Sequence, residues 1–111
     1  MIIYCDANPK MCAIVVGEMG NGGTSIEEFG TELTNNEAEY TAVIRALEDF
    51  PDATEIRTDS QLVVQQLNHK WHIKEDRLRS LAQRVWELVG SRNVKFTWVP
   101  RKENLAGKAL K

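Results

Sequence analysis

The hexapeptide Thr34-Asn35-Asn36-Glu37-Ala38-Glu39 separates two parts of the chain that have different secondary-structure patterns. A Thr followed three residues later by a Glu fits a capping box, in which hydroxyl and carboxylate each accept a hydrogen bond from a free amide where a helix starts. Capping therefore explains Glu37 without any chemistry. The helix that begins here is predicted to run to about Phe50, and Pro51 ends it.

Strands are predicted on the N-terminal side of this helix. Ile2–Asp6 begins with apolar, β-branched residues, and after a turn at Asn8-Pro9 the segment Met11–Gly17 reads as a second, largely buried strand. An Asn-Gly signal within residues 20–23 predicts a hairpin to a third strand at Thr24–Leu33. Its acidic residues, which suit an edge strand protected against further pairing, are Glu27, Glu28 and Glu32.

Strands and helices alternate on the C-terminal side. The predicted elements are a strand at Thr54–Thr58, a short helix at Ser60–Leu67, a longer helix from about Glu75 to Val89 that Gly90 stops, a strand at Val94–Val99 and a last short helix at Asn104–Lys111. Three meandering strands followed by helix–strand alternation predict an α/β fold with a mixed sheet.

Size and composition predict a single domain over residues 1–111. Apolar residues make up 42% and charged residues 27% of the chain, which are ordinary values for a globular protein. No apolar run approaches the roughly 20 residues that a membrane span needs, and no signal-peptide pattern opens the chain. Cys5 and Cys12 are interpreted as small buried residues in a reducing compartment. We therefore expect a soluble cytoplasmic protein.

The net charge of −2 hides a strong asymmetry between the two halves of the chain. Residues 1–55 carry two basic and eleven acidic side chains, whereas residues 56–111 carry twelve basic and five acidic ones. This division suits an acidic metal site beside a basic track for a phosphate backbone. Scattered, solvated charge is the alternative interpretation.

Three acidic residues stand at positions where a purely structural role does not require an acid. Asp6 and Asp59 each follow an apolar strand, and parallel neighbouring strands would bring both to one end of the sheet. Glu39 lies between Ala46 and Phe50 on the apolar face of the predicted helix, where a carboxylate is unfavourable unless something neutralises it. Local explanations stay open: a turn for Asp6, a helix N-cap for Asp59, and solvent or the helix dipole for Glu39.

If these acids converge, they predict a divalent metal site and phosphoryl chemistry. Two carboxylates about 4 Å apart repel each other by about 4 kcal/mol at an effective dielectric constant of about 20, and a divalent cation with oxygen ligands reverses this repulsion. Two such cations would hold the attacking and departing oxygens of an in-line phosphodiester cleavage. The sequence contains no competing nucleophile motif, phosphate-binding glycine loop or zinc-binding cysteine cluster.

His69 and His72 form a His-x-x-His pair in the loop before the longer C-terminal helix. A zinc site is one alternative. The favoured interpretation is a basic, partly aromatic nucleic-acid contact, which would also include Lys70, Trp71, Lys74, Arg77 and Arg79. By itself, a tryptophan such as Trp71 is more often a core residue than a stacking platform, and Trp86 and Trp98 are interpreted as packing residues.

Four segments together resemble the signatures of type 1 ribonuclease H. They are Tyr4-Cys5-Asp6, Thr34-Asn35-Asn36-Glu37-Ala38-Glu39, Thr58-Asp59-Ser60-Gln61 and Trp98-Val99-Pro100-Arg101-Lys102-Glu103-Asn104. The second and third segments at this spacing are highly specific in combination, although either alone would be weak. The resemblance spans essentially the whole chain.

The resemblance implies a ribonuclease H-like fold: a five-stranded mixed sheet with three antiparallel strands, then two strands parallel to the first, and flanking helices. It implies endonucleolytic hydrolysis of the RNA strand of RNA–DNA hybrids with Mg²⁺ or Mn²⁺. We expect a two-metal site, a monomer and no membrane partner. The residues implied as catalytic metal ligands are Asp6, Glu39 and Asp59. Those implied to touch the hybrid in its minor groove, where 2′-hydroxyls distinguish RNA, are Asn35, Asn36 and Gln61.

The chain departs from the family pattern in its last helix and the loop before it. The family usually has a fourth carboxylate there, in an Asn-x-x-Ala-Asp context, but this chain reads Asn104-Leu105-Ala106-Gly107-Lys108, which contains no acid, and Gly107 is interpreted as the residue at the expected place. Glu103, Asn104 or water could compensate, and the hypothesis is an active enzyme with weaker metal affinity and a preference for Mn²⁺. Val99–Ala106 lacks the histidine of many bacterial members, and Asp59–Gly90 is too short for the basic protrusion of some others.

Two other functions remain as alternatives. One is a ribonuclease H-fold module that binds hybrids but is catalytically weak or inactive, for which Gly107 is the best support. The other is a 3′–5′ exonuclease of the same fold, whose usual final motif needs an Asp that residues 95–111 do not contain. The presence of all three acids favours catalysis over binding alone.

Overall fold

A five-stranded mixed sheet organises the molecule, which the computed structural model describes at residues 1–17 and 23–110. The helices and strands are β1 (Ile2–Asn8), β2 (Met11–Val16), β3 (Thr24–Glu28), α1 (Asn35–Asp49), β4 (Glu55–Thr58), α2 (Gln61–Leu67), α3 (Asp76–Val89), β5 (Lys95–Trp98) and α4 (Leu105–Ala109), with a 3₁₀ turn at Arg101–Glu103. The strand order is β3-β2-β1-β4-β5.

The directions of the strands confirm the predicted sheet. β1 pairs antiparallel with β2, and β2 pairs antiparallel with β3. β1 and β4 are parallel, as are β4 and β5. The acidic β3 lies at one edge of the sheet, as its glutamates indicated. The predicted Asn-Gly turn falls mainly on Gly20-Asn21-Gly22, which lies outside the described residues.

Two predicted strand ends were wrong. β1 continues past Asp6 to Asn8, because the β1–β2 pairing persists down to Asn8 opposite Met11. The turn is closed by Asn8, whose Oδ1 accepts hydrogen bonds from the amides of Lys10 (2.9 Å) and Met11 (3.0 Å). β3 ends at Glu28 rather than at residue 33, and Gly30 in the left-handed region (φ 77°) turns the chain away from the sheet.

The capping box predicted for α1 is present. Thr34 Oγ1 accepts a hydrogen bond from the amide of Glu37 at 3.1 Å, and Glu37 Oε1 accepts one from the amide of Thr34 at 3.0 Å. α1 packs on β1 and α3, so one face of the helix is buried. The fully buried residues that join α1 to the sheet include Ile3, Tyr40, Val43 and Ile56.

Cys5 and Cys12 are buried free thiols, as predicted. The predicted packing is confirmed for Trp86, but a place in the core is wrong for Trp71, and Trp98 is also largely exposed. Trp86 is partly buried against the core, but Trp71 and Trp98 are each 46% exposed. Among the described residues, we find no helix long and apolar enough to cross a membrane.

Candidate active site

Asp6, Glu39 and Asp59 meet at one point of the structure. Each offers a carboxylate oxygen, and these three oxygens lie within 4.8 Å of one another. The parallel pairing of β1 with β4 sets Cys5 opposite Thr58, so the next residue on each chain segment is an aspartate at the same level of the sheet. Glu39 reaches them from α1, one turn after its capped start. The predicted convergence of the three acids is thus present.

The local explanations for the three acids do not hold. Asn8, not Asp6, closes the β1–β2 turn. Ser60, not Asp59, caps α2, because its Oγ accepts a hydrogen bond from the amide of Val63 at 3.3 Å. Glu39 neither caps α1 nor reaches bulk water with both oxygens, since its Oε1 is buried. The turn and the N-cap therefore do not account for Asp6 and Asp59, and exposure to solvent does not account for the buried Oε1 of Glu39.

Two carboxylate oxygens of this site are buried without a hydrogen-bond partner among the described residues: Asp6 Oδ1 and Glu39 Oε1. Burial, followed by the charge of Asp59, raises the pKa of Asp6 to about 6. Burial, followed by the charges of Asp6 and Asp59, raises the pKa of Glu39 to about 8. An unpartnered buried carboxylate is unfavourable, so the site is suited to a bound cation.

Asp59 has polar neighbours from the C-terminal part of the chain that the sequence prediction did not assign to it. Arg101 Nη1 lies 3.4 Å from Asp59 Oδ2, and Trp98 Nε1 donates a hydrogen bond to the backbone oxygen of Asp59 at 3.2 Å. The exposed Trp98 thus packs over the chain that leaves β4. The signal that could have identified these contacts is the parallel β4–β5 pairing, which brings the residues after Trp98 to the acidic end of the sheet.

Asn104 is the second neighbour, and it is fully buried. Its Nδ2 donates to the backbone oxygen of Cys5 at 2.9 Å and lies 3.4 Å from Asp59 Oδ1, while its Oδ1 accepts from the amide of Ala106 at 3.1 Å. One amide therefore joins β1, the end of β4 and the start of α4. Its contact is with Asp59, so Asn104 positions an acid rather than replacing one.

Gly107 lies beside the acids, where the resemblance placed a fourth carboxylate. The residue is buried, and a Cβ atom built on it would lie 3.1 Å from Asp6 Oδ2. A side chain at this position would therefore enter the site. Glycine has none and contributes no ligand, so the carboxylate set consists of three acids within residues 1–17 and 23–110.

The residues expected to touch nucleic acid lie near this site but not in it. Asn35 and Asn36 begin α1, Gln61 begins α2, and all three are at least partly exposed. Asn36 lines a cavity of about 230 Å³ together with Trp71 and other residues of the loop between α2 and α3. The cavity therefore links the start of α1 to the predicted basic, partly aromatic nucleic-acid contact.

The His-x-x-His pair does not form a metal centre with other ligands. His69 has a left-handed backbone (φ 62°), and its ring stacks on Trp86 with the centroids 4.6 Å apart. In the described part of the chain, the acid triad is the one group of three or more His, Cys, Asp or Glu side chains arranged to hold a metal. The residues of that triad fit Mg²⁺ or Mn²⁺, because these ions prefer carboxylate oxygens.

Comparison with known proteins supports this assignment. A sequence family described as reverse transcriptase-like matches residues 5–110. The chain is 38% identical to ribonuclease H of Methylorubrum extorquens (strain PA1), over 86% of this chain and 47% of the relative. It is 43% identical to ribonuclease HI of Halobacterium salinarum, over 82% of this chain and 49% of the relative. The chain thus spans about half the length of these curated relatives.

Solved structures show the same fold. The crystal structure of RNase H1 from the halophilic archaeon Halobacterium salinarum NRC-1 is similar with a TM-score of 0.86 and 32% identity, over 98% of this chain and 92% of that one. LC11-RNase H1, solved in complex with an RNA/DNA hybrid, is similar with a TM-score of 0.81 and 28% identity over 99% of both chains.

The short connection between α2 and α3 also agrees with a compact ribonuclease H. Only residues 68–75 separate α2 from α3, and no additional helix lies between them, so the basic protrusion is absent from this described segment. With a family match from residue 5 to residue 110 and a solved relative that superposes over nearly its full length, the chain belongs to the type 1 ribonuclease H family.

Proposed function

We propose that this protein is a metal-dependent endonuclease that hydrolyses the RNA strand of RNA–DNA hybrids. The observation that carries the proposal is the convergence of Asp6, Glu39 and Asp59 within 4.8 Å, with two buried oxygens left without partners. The names of the relatives support the same reaction, and one of them was solved with an RNA/DNA hybrid.

Asp6, Glu39 and Asp59 would hold Mg²⁺ or Mn²⁺ through their carboxylate oxygens. When bound, such ions neutralise charge on the phosphate and lower the pKa of a coordinated water, the attacking group in hydrolysis. The protein's own contribution is to hold the acids together before the substrate arrives. Asn104 fixes Asp59 relative to β1, and the parallel β1–β4 pair fixes Asp6 relative to Asp59.

Protonation competes with metal binding at this site. Because the pKa of Glu39 is raised to about 8, this carboxyl carries a proton at neutral pH until a cation displaces it. Asp6, with a pKa raised to about 6, loses its proton first. Metal-dependent cleavage should therefore increase from pH 6 to pH 8 at low metal concentration.

The substrate contacts that we propose follow from the exposed residues around the acids. Asn35, Asn36 and Gln61 carry side-chain amides, which can donate to and accept from 2′-hydroxyls in the minor groove of the hybrid. The exposed Trp71 and the neighbouring Lys74 would then contact the other strand through stacking and charge. Little base specificity is expected from such contacts.

We also propose that the protein acts as a monomer in the cytoplasm. All three acids, and each polar neighbour described above, come from one chain, so the site is complete without a partner. The division of charge described above places basic side chains next to the acids, which suits a nucleic-acid partner rather than a membrane.

A labelled RNA–DNA hybrid tests the proposal. We expect internal cuts in the RNA strand with Mg²⁺ or Mn²⁺, and a loss of at least roughly a thousandfold in Asp6→Asn, because that change removes a charged ligand while keeping the shape. Hybrid binding without cuts would support the inactive binding module instead. Stepwise trimming from one end would support an exonuclease, and Asp6→Asn cleaving like the wild type would contradict the assigned site.

A further inference from the structure

The cavity beside Gly107 is a second feature of the acidic end of the sheet, and the three carboxylates do not account for it. Its volume is about 350 Å³, and it is lined by Arg101, Lys102, Gly107 and Lys108. We propose that this cationic cavity, formed by these four residues, binds a phosphate group of the cleaved strand next to the reacting one. This inference rests on the proposed function, because it assigns the position of the substrate in that same site.

The cationic cavity directly adjoins the acid triad. Gly107 forms part of its wall, and the position of a Cβ on Gly107 is 3.1 Å from Asp6 Oδ2. On another side, Arg101 Nη1 lies 3.4 Å from Asp59 Oδ2, while the rest of that guanidinium group is exposed. A phosphate in the cavity would therefore lie next to the acids, with Gly107 and Arg101 between them.

The charges that line the cavity suit an anion. Three of the four lining residues are basic, and none of the described residues that line it is acidic. The neighbouring acids repel a nucleic-acid backbone when no cation is bound. Among the ion pairs of the described residues, only Arg101 of these three basic residues is paired with an acid. Lys102 and Lys108 therefore remain available for a phosphate, to which lysine binds as a point charge.

Gly107 belongs both to the cavity wall and to the surroundings of the acids. A carboxylate side chain at this position would start 3.1 Å from Asp6 Oδ2 and would add a negative charge beside Lys108. With glycine here, the described lining of the cavity carries no acid.

The ligand class is a phosphate monoester or diester on a ribose, because a volume of about 350 Å³ accommodates more than a free phosphate ion. The same chemistry could come from inorganic phosphate, so the experiment must separate the two sources.

Titrations of the metal-free protein in EDTA are suitable because they do not depend on activity. The probes are a ribodinucleotide with a 5′-phosphate, the same dinucleotide without it, and inorganic phosphate, each followed by calorimetry at low salt.

We expect the 5′-phosphate to strengthen dinucleotide binding. This gain should fall about fivefold in Lys108→Ala or Lys102→Ala, and should weaken with added salt, as expected of a contact between exposed charges. It should disappear in Gly107→Asp. The matched control is Lys95→Ala, which removes the same charge at the opposite end of β5 and should leave the gain unchanged.

Equal binding of the two dinucleotides, or equal weakening by Lys95→Ala, would overturn the inference. Inorganic phosphate binding as tightly as the phosphorylated dinucleotide would support the anion site but assign it to the free ion. The proposed function is tested separately by cleavage of the hybrid. If the wild type cleaves the hybrid but the 5′-phosphate does not strengthen binding, only the cavity inference is wrong. If the 5′-phosphate strengthens binding but the hybrid is not cleaved, only the proposed function is wrong.

Discussion

Glu39 shows how one side chain can reveal a site. A carboxylate on the sheet-facing side of α1 would destabilise the fold if it served packing alone, because its Oε1 is buried without a partner among the described residues. The neighbouring Glu37 has a complete structural explanation in the capping box and a contact with Arg77 at 3.4 Å. The contrast between two glutamates only two residues apart separates a functional acid from a structural one.

Gly107→Asp should increase the affinity for Mg²⁺. The new carboxylate would extend toward Asp6 and add an oxygen ligand to the three already present. We expect the Mg²⁺ concentration for half-maximal cleavage to fall by about tenfold, and the preference for Mn²⁺ that we expect of the wild type to diminish. Metal-dependence curves for both proteins measure this.

The matched control for that substitution is Gly107→Asn, which adds a side chain of the same shape without the charge. It should not tighten Mg²⁺ binding comparably. Wild-type cleavage that is already saturated at low Mg²⁺, with no advantage from Mn²⁺, would contradict the hypothesis that the missing acid weakens the metal site.

Asn104→Ala should lower the cleavage rate more than it changes substrate affinity. The substitution removes the amide that holds Asp59 and leaves the backbone oxygen of Cys5 without its donor. We expect kcat to fall by about tenfold to a hundredfold with KM nearly unchanged, and the free energy of unfolding to fall by about 1–3 kcal/mol. Steady-state kinetics and urea unfolding separate the two effects.

For this positioning role, Asn104→Asp provides the conservative comparison. It keeps the acceptor for the amide of Ala106 but places a negative charge beside Asp59. We expect it to keep α4 capped and to shift the pH dependence of cleavage upward. A pH profile identical to that of the wild type would indicate that Asn104 serves only the fold.

At the level of elements, the sequence predicted what local patterns control. The capping box of α1, the Gly90 end of α3 and the order of strands and helices depend on neighbouring residues, and the structure confirms them. The end of β3 and the exposure of Trp71 and Trp98 depend on which element lies opposite, so local patterns did not determine them. The contacts of Arg101 and Asn104 with Asp59 join residues more than 40 positions apart, and for the same reason they were not predicted.

The loop between α2 and α3 should contribute binding rather than catalysis. Trp71 is 46% exposed and lines a cavity with Asn36 at the start of α1, so it can stack on a base without supporting the core. We expect Trp71→Ala to raise KM for the hybrid by about tenfold with kcat and thermal stability nearly unchanged. Ile26→Ala, which shortens another exposed apolar side chain on the edge strand β3, should change none of these quantities. A fall in melting temperature without a change in KM would assign Trp71 to packing.

At the scale of the whole molecule, the fold brings together the two unlike halves of the chain. The acids at positions 6 and 39 belong to the acidic half, and Asp59 with its neighbours Arg101 and Asn104 belongs to the basic half. Their contact at the end of the β1–β4 pair creates an acidic site next to basic side chains. The three carboxylates lie close together only in the folded chain, so their ionisation changes the free energy of unfolding.

The metal-free protein should become less stable as pH rises. The folded-state pKa values of Asp6 and Glu39 are raised to about 6 and about 8, so the folded state binds more protons than the unfolded state between pH 5 and pH 8, and the free energy of unfolding falls across this window. Asp6 alone accounts for a loss of roughly 1.4 kcal/mol between pH 5 and pH 8. Urea unfolding in EDTA measures this loss of stability, and adding Mg²⁺ should reverse the loss.

Because Glu37 and Glu55 have lowered pKa values, they change the free energy of unfolding only below this pH window. Glu39→Gln should flatten the decline above pH 6. Stability that is constant or rises from pH 5 to pH 8 in the wild type would show that the pKa values of Asp6 and Glu39 are not raised in the folded protein.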